Sequence, residues 1–217
     1  MEAGGLYIGT DQVIGVVHRG EGLALWYAHL RRKGDKVDQL AFGEAADVPA
    51  LVKAVGTRVP WVVVFDGLNV VHRVVHAAGS AQDALAAAFP NAPMDQLLVS
   101  GHTSGEHHGF SMIRADRSTP VRSAMQAVGA RVVDLFVGPW NLLELAPLVD
   151  ATSFHQGIGG HCFILADQAL VEHHRTEIPP GLRRIGDVEI AEEATLAWAA
   201  AWAYLVPSVH RVAPLGD

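Results

Sequence analysis

Trp61-Val62-Val63-Val64-Phe65-Asp66-Gly67 is the stretch that decides the fold. Its unbroken apolar run fits a strand buried on both faces, and Asp66-Gly67 supplies a turn after it. Residues 70–75 then read as a second strand doubling back on the first. Residues 82–89 read as a helix ending in Phe89-Pro90-Asn91-Ala92. A strand over 96–100, a loop rich in glycine and histidine, a strand over 110–114, a helix over 120–128, Gly129 and a strand over 131–137 follow. The order is hairpin, helix, strand, strand, helix, strand, with no nucleophile or metal motif along it. That order favours a binding or scaffolding fold over a catalytic one.

On the N-terminal side, residues 6–10 and 13–18 are short β-rich runs separated by Asp11-Gln12, and Gly20-Glu21-Gly22 turns the chain into a strand over 23–30. Residues 31–43 are polar and loop-like, while 46–55 have helical spacing with Gly56 as the stop. On the C-terminal side, Gly138-Pro139 breaks the strand before a short helix over 140–148. Residues 153–156, Gly157-Ile158-Gly159-Gly160 and residues 161–166 read as strand, tight turn and strand; Asp167-Gln168 turns the chain into a strand over 170–175. The longest helix is expected over 188–206, with Asp187 as its N-cap and Glu189, Glu192 and Glu193 at its positive end. Three strands and a helix thus open the chain and three strands and a helix close it. The pattern predicts an α/β protein with a duplicated βββα core, its mixed sheets flanked by helices.

Composition excludes several classes. A chain of 217 residues can bury a full core, and with half of them hydrophobic and 18% charged it is not a disordered chain. Sixteen basic against 23 acidic residues leave a net charge of −7, which argues against a nucleic-acid surface. Arg31-Arg32-Lys33 is too short a basic cluster for a membrane-surface patch. The single cysteine, Cys162, allows no internal disulfide, fits a reducing compartment and reads as buried and inert. No signal peptide precedes the first strand, and the most apolar helical run, 194–206, is too short to span a bilayer. A soluble, cytoplasmic protein is expected.

The candidate chemistry is sparse. Gly157, Gly159 and Gly160 between apolar strands read first as a turn needing positive φ, and second as a loop whose N–H groups could cradle phosphate. Among twelve histidines, His102, His107 and His108 share a loop with Glu106, but neighbours in an extended loop point apart and no H-E-x-x-H helix occurs, so no metal site is expected. His173-His174 follow Glu172, and His72 and His76 read as solvent-facing positions of a hairpin. Ser100-Gly101-His102-Thr103-Ser104-Gly105 lacks the strand-to-helix elbow of a nucleophilic serine, and Asp134 reads as a structural strand residue. Trp198, Trp202 and Leu205 form a stripe expected in the core.

The order of elements, with Phe89-Pro90-Asn91-Ala92, Phe110-Ser111-Met112-Ile113-Arg114, the run Gly129 to Pro139, Arg184-Ile185-Gly186 and Glu192-Glu193-Ala194-Thr195-Leu196-Ala197-Trp198, resembles the actin-like cytoplasmic proteins of pilus and secretion machines, the PilM and GspL group. The resemblance implies an actin-like (ribonuclease H-like) fold of two lobes: residues 1–130, carrying an inserted small subdomain, and residues 131–217. Proteins similar to PilM hold nucleotide and metal in hairpins that combine an acidic residue with glycines. Here Asp11 lacks a glycine after it, and Gly157, Gly159 and Gly160 lack an acidic residue before them. These departures pull the resemblance toward GspL-like members: a non-catalytic scaffold or adaptor, at the cytoplasmic face of the inner membrane, whose partners are secretion or pilus assembly proteins and which needs no cofactor. The alternative is an ATP-binding protein of the actin and sugar-kinase type, holding ATP and Mg²⁺ between Asp11 and the glycine turn. The resemblance is also compatible with continuation beyond Asp217 into a transmembrane helix.

Overall fold

The structure, a computed structural model, describes residues 1–9, 25–67, 69–167, 169–178 and 181–206, the side chains of residues 2–9 and 151 excepted. Asp11, the Asp11-Gln12 and Gly20-Glu21-Gly22 turns and the strand expected over 13–18 lie outside the described residues.

The elements follow in order: β1 (Glu2–Gly9), β2 (Leu25–Lys33), β3 (Lys36–Ala45), α1 (Val48–Val55), β4 (Trp61–Asp66), β5 (Val71–His76), α2 (Ala81–Ala88), β6 (Leu97–Ser104), β7 (His107–Arg114), α3 (Thr119–Ala127) and β8 (Val132–Val137). After a 3₁₀ turn at Trp140–Leu145 come α4 (Ala151–Gln156), β9 (His161–Ala166), β10 (Ala169–Arg175), β11 (Leu182–Ile185), β12 (Val188–Ala191), a second 3₁₀ turn at Glu192–Ala194 and α5 (Thr195–Leu205).

A five-stranded sheet of order β3-β2-β1-β4-β8 organises the molecule. β1, β2 and β3 form an antiparallel meander, whereas β4 runs parallel to both β1 and β8. β4 explains its own sequence. All six of its residues are buried, with Val62 and Val64 entering one core and Trp61, Val63 and Phe65 the other. On the first face they pack with Ala28, Leu30 and Phe136 beneath α5; on the second they meet Leu25, Val48 and Leu51, and Val121 and Met125 of α3. A strand covered by helices on both faces has no polar side, and each large side chain withdrawn from water contributes about 1.5–3 kcal/mol.

Local signals place the helices. Asp47 caps α1 by accepting from the Ala50 amide at 2.7 Å, and Gly56 stops it at φ 97°. Ser80 and Asp83 form a reciprocal capping box on α2. α5 is buried nearly all round, Trp198 and Trp202 stack with ring centroids 5.3 Å apart, and the Arg32 guanidinium donates to the Leu205 carbonyl at its C-terminus (2.8 Å).

Several expectations are corrected. The strand at 70–75 does not pair back on β4, because β1 and β8 already occupy both edges of that strand; β5 instead joins a separate three-stranded sheet of order β5-β7-β6, backed by α2. Residues 31–43 are not a loop but most of the β2–β3 hairpin, its turn at Gly34; β3 alternates between exposed and half-buried positions, which gave it a polar cast. Residues 153–156 belong to α4, capped by Asp150 through the Thr152 amide, so the glycine turn joins a helix to a strand. The last helix begins at Thr195 rather than 188: Val188–Ala191 pairs with β11, and Asp187 lies in their turn. The glycine- and histidine-rich loop is the β6–β7 hairpin itself.

Among the described residues there is one sheet of the five-stranded order. The chain after β8 contributes two two-stranded hairpins, β9–β10 and β11–β12, and α5, which packs on the first sheet. The β4–β8 pairing joins strands on either side of position 130.

Leu51 is fully buried beneath the sheet and Leu40 on β3 is exposed. Leu51→Ala is expected to cost about 3 kcal/mol in urea denaturation, and Leu40→Ala less than about 0.5 kcal/mol.

Candidate functional site

Open α/β sheets present their polar chemistry at the carboxyl ends of parallel strands. Here that end is marked by Asp66, the last residue of β4, in register with Gly9 at the end of β1. Asp66 is completely buried.

Two other sheets converge on its carboxylate. From β9, His161 Nε2 lies 2.9 Å from Oδ2; from β10, Arg175 Nη2 donates to the same oxygen at 3.1 Å. Register explains this pairing, because Arg175 stands directly opposite His161. From β5, His72 Nε2 lies 3.1 Å from Oδ1, but off the line of a hydrogen bond, so this contact is electrostatic. His72 stands opposite Ser111 of β7, and its Nδ1 is 2.7 Å from the Ser111 Oγ. His161 Nδ1 is in turn 3.0 Å from His173 Nε2. Trp140, Phe163 and His72 ring His173 with centroids 4.9–5.3 Å away.

Burial by itself would raise the Asp66 carboxyl, but His161, through its charge and hydrogen bond, and then the nearby His72 overcome it and hold the group well below the usual carboxylate range. His173 is pushed down to about 2, first by burial and then by the neighbouring His161 and His72. It is therefore neutral at ordinary pH. Asp66 accepts, so His161 Nε2 carries a proton, and one proton is shared along the Nδ1–Nε2 contact with His173.

Ser111, His72 and Asp66 are the residue types of a nucleophilic relay, but the arrangement does not serve one. Ser111 is fully buried, and Gly138, at φ 79°, lies so close that a Cβ there would sit 2.0 Å from the Ser111 Oγ. No substrate carbonyl reaches that hydroxyl, and the His72–Asp66 contact is misaligned. What the cluster does is fasten β4, the small sheet and the β9–β10 hairpin together.

The glycine turn lies next to it, because Gly160 leads directly into His161. Gly157, Gly159 and Gly160 all have positive φ, at 104°, 57° and 80°. The Gly159 N–H donates to the buried Glu192 Oε1 (2.9 Å); Arg183 donates from Nε to Glu192 Oε2 (2.5 Å) and from Nη2 to the Gly157 carbonyl (2.6 Å). The structure thus brings the glycine turn, the end of β1 and Asp66 together, while Asp11 lies outside the described residues.

The other candidates are scattered. His76 is exposed beside Glu106 (3.2 Å) and His107, whereas the His72 side chain is turned inward and only 9% exposed, contrary to the solvent-facing reading. His108 is buried too, against Thr103 and the Ala77 carbonyl, so it is not a surface-loop residue. Asp134 accepts from the Leu135 amide at 3.0 Å. Cys162 is buried, its thiol donating to the His155 carbonyl. Among the described residues no three His, Cys, Asp or Glu side chains are disposed to hold a metal, and no helix is long and apolar enough to cross a membrane. Asp66, His72, His161, His173 and Arg175 were missed as a group. The available signal was Asp66's place, an acid ending an otherwise wholly apolar strand.

No protein-family model matches the chain, and no curated protein matches it. Solved structures do. A chain of the PilM–PilN type IV pilus biogenesis complex superposes with a TM-score of 0.52 at 15% identity, covering 82% of this chain and 62% of that one. The cytoplasmic domain of EpsL, an inner membrane component of the type II secretion system of Vibrio cholerae, gives 0.44 at 12%, covering 66% and 58%. The chain therefore spans about three-fifths of each of these two solved chains. The likeness to the PilM–PilN chain is one of fold: a mixed α/β architecture of several sheets flanked by helices.

Removing the Asp66 charge leaves the part-buried Arg175 guanidinium and the buried His161 ring N–H without their anionic acceptor, so Asp66→Asn is expected to lose about 3–5 kcal/mol by urea denaturation. The depressed His173 makes stability full above the unfolded histidine pKa near ~6.5 and lost as pH falls toward its folded value, by up to about 1.4 kcal/mol per pH unit. Denaturation curves between about pH 6.5 and 4.5 should be flatter in pH for His173→Gln than for the parent protein; equal slopes would contradict a neutral His173.

Proposed function

We propose that this chain is a non-catalytic scaffold or adaptor of a type II secretion or type IV pilus assembly system, acting by protein–protein interaction at the cytoplasmic face of the inner membrane. The observation that carries the reading is the self-satisfied polar site. At the carboxyl ends of the parallel strands, Asp66 is engaged by His161 and Arg175 and the glycine turn by Glu192, all within the chain. The fold likeness to a chain solved in a pilus biogenesis complex supports the same class of role. In this reading the five-stranded sheet with α1, α3 and α5 is a ribonuclease H-like core of the kind actin-like proteins use. The residues between β4 and α3, and between β8 and α5, are insertions into that single core rather than parts of a second, duplicated lobe. Its partners are secretion or pilus assembly proteins, and it works without a cofactor.

One observation keeps the competing reading in view: the end of β1, beyond which Asp11 lies, and the Gly157–Gly160 turn both meet Asp66. In that reading the two turns hold ATP and Mg²⁺. Calorimetric titration of the folded protein with ATP and Mg²⁺ separates the two. The scaffold reading expects no heat of binding; binding tighter than about 0.1 mM, about −5.5 kcal/mol, would overturn it.

A further inference from the structure

The Gly157–Gly160 turn has the parts of an oxyanion site, and those parts are in use. Positive φ at three glycines lets the backbone turn a peptide N–H inward, and the Gly159 N–H is the donor presented. A guanidinium, Arg183, closes the other side, one nitrogen on the bound carboxylate and another on the Gly157 carbonyl, which fixes the fork against the turn. Between them sits a carboxylate that the chain supplies itself. Glu192 is 97% buried by its 3% residual exposure, each of its oxygens takes one of these donors, and it is delivered by the 3₁₀ turn that leads into α5. Leu142 and the Thr195 Cβ lie 3.5 and 3.7 Å from where a side chain on Gly159 would begin. A buried carboxylate is costly unless its partners are held in place, and here turn, guanidinium and acid are mutually fixed across three separate segments.

We infer that the Gly157–Gly160 turn is an oxyanion cradle filled in cis by the Glu192 carboxylate, and that the same donors accept a free carboxylate or phosphate when that side chain is shortened. The inference does not depend on the scaffold reading: it concerns what occupies the cradle, whatever the chain assembles with. It also gives the turn's occupancy a cause. An external anion must displace Glu192 from Arg183 as well as from Gly159.

Glu192→Ala removes a group the size of acetate, so acetate and inorganic phosphate are the probes. Melting of the variant, the parent and Glu192→Ala/Arg183→Ala is followed by circular dichroism against each anion, with sodium chloride at matched ionic strength. The expected result is a saturable rise of about 3 °C or more in Glu192→Ala, absent from the parent and from the double variant. A response to acetate alone describes a cradle shaped for a planar carboxylate; a response to phosphate describes one with room for a tetrahedral anion. If Glu192→Ala is unfolded in chloride, acetate- or phosphate-dependent recovery of its far-ultraviolet signal gives the same reading. No response to either anion, or an equal response in the parent or the double variant, overturns the inference. Heat of ATP binding to the parent protein would bear on the scaffold reading and leave this comparison intact.

Discussion

The carboxylate of Asp66 is the constraint on which the arrangement of the sheets depends. A charge withdrawn wholly from water at the end of a central strand costs several kcal/mol unless compensated, and no group within β4 can compensate it. The compensation arrives from elsewhere in sequence: His161 and Arg175 on one hairpin, His72 from another sheet. Each of these is itself located by strand register, Arg175 opposite His161 and His72 opposite Ser111. The β9–β10 hairpin therefore has one docking geometry on the main sheet that satisfies the acid, and the small sheet brings His72 up beside it. Apolar packing between them tolerates many angles; the directional contacts do not.

How much of this was legible follows from where the information sits. β4 and β8, the Gly56 stop of α1, and the strands of the β9–β10 hairpin are local patterns, and the sequence showed them. β3 was hidden because an edge strand covered on one face alternates apolar and polar residues into a composition that resembles a loop. Val188–Ala191 was absorbed into the last helix because no breaker separates it from Thr195; pairing with β11, a tertiary fact, makes it a strand. The same limit governs the site. The positive-φ role of the glycines could be read from the turn itself. Glu192 read as an acid suited to a helix start, and only the packed structure turns it toward Gly159. Likewise His72 alternates as a solvent-facing residue would, until a third sheet is laid against it.

The two polar features share a physical logic. Both lie where a doubly covered sheet leaves its strand ends, and in both a charged group is surrounded by partners from distant segments rather than from its own neighbours in sequence. At this end of the sheet Arg175 and His161 meet Asp66, and Arg183 and the Gly159 N–H meet Glu192. Such a site contributes rigidity and a fixed relative placement of surfaces, which is the property a scaffold needs and a site of chemistry needs only in part.

The helix that seals one face of the main sheet is translated after every strand it covers. Arg32 and the Leu205 carbonyl it caps are 173 residues apart in the chain. While the polypeptide emerges from the ribosome, Leu30, Val62 and Val64 are made long before α5 exists to shield them. The nascent sheet is consequently a sticky half-product, and its completion waits for α5 to clear the exit tunnel. Vectorial synthesis and the native topology run against each other here.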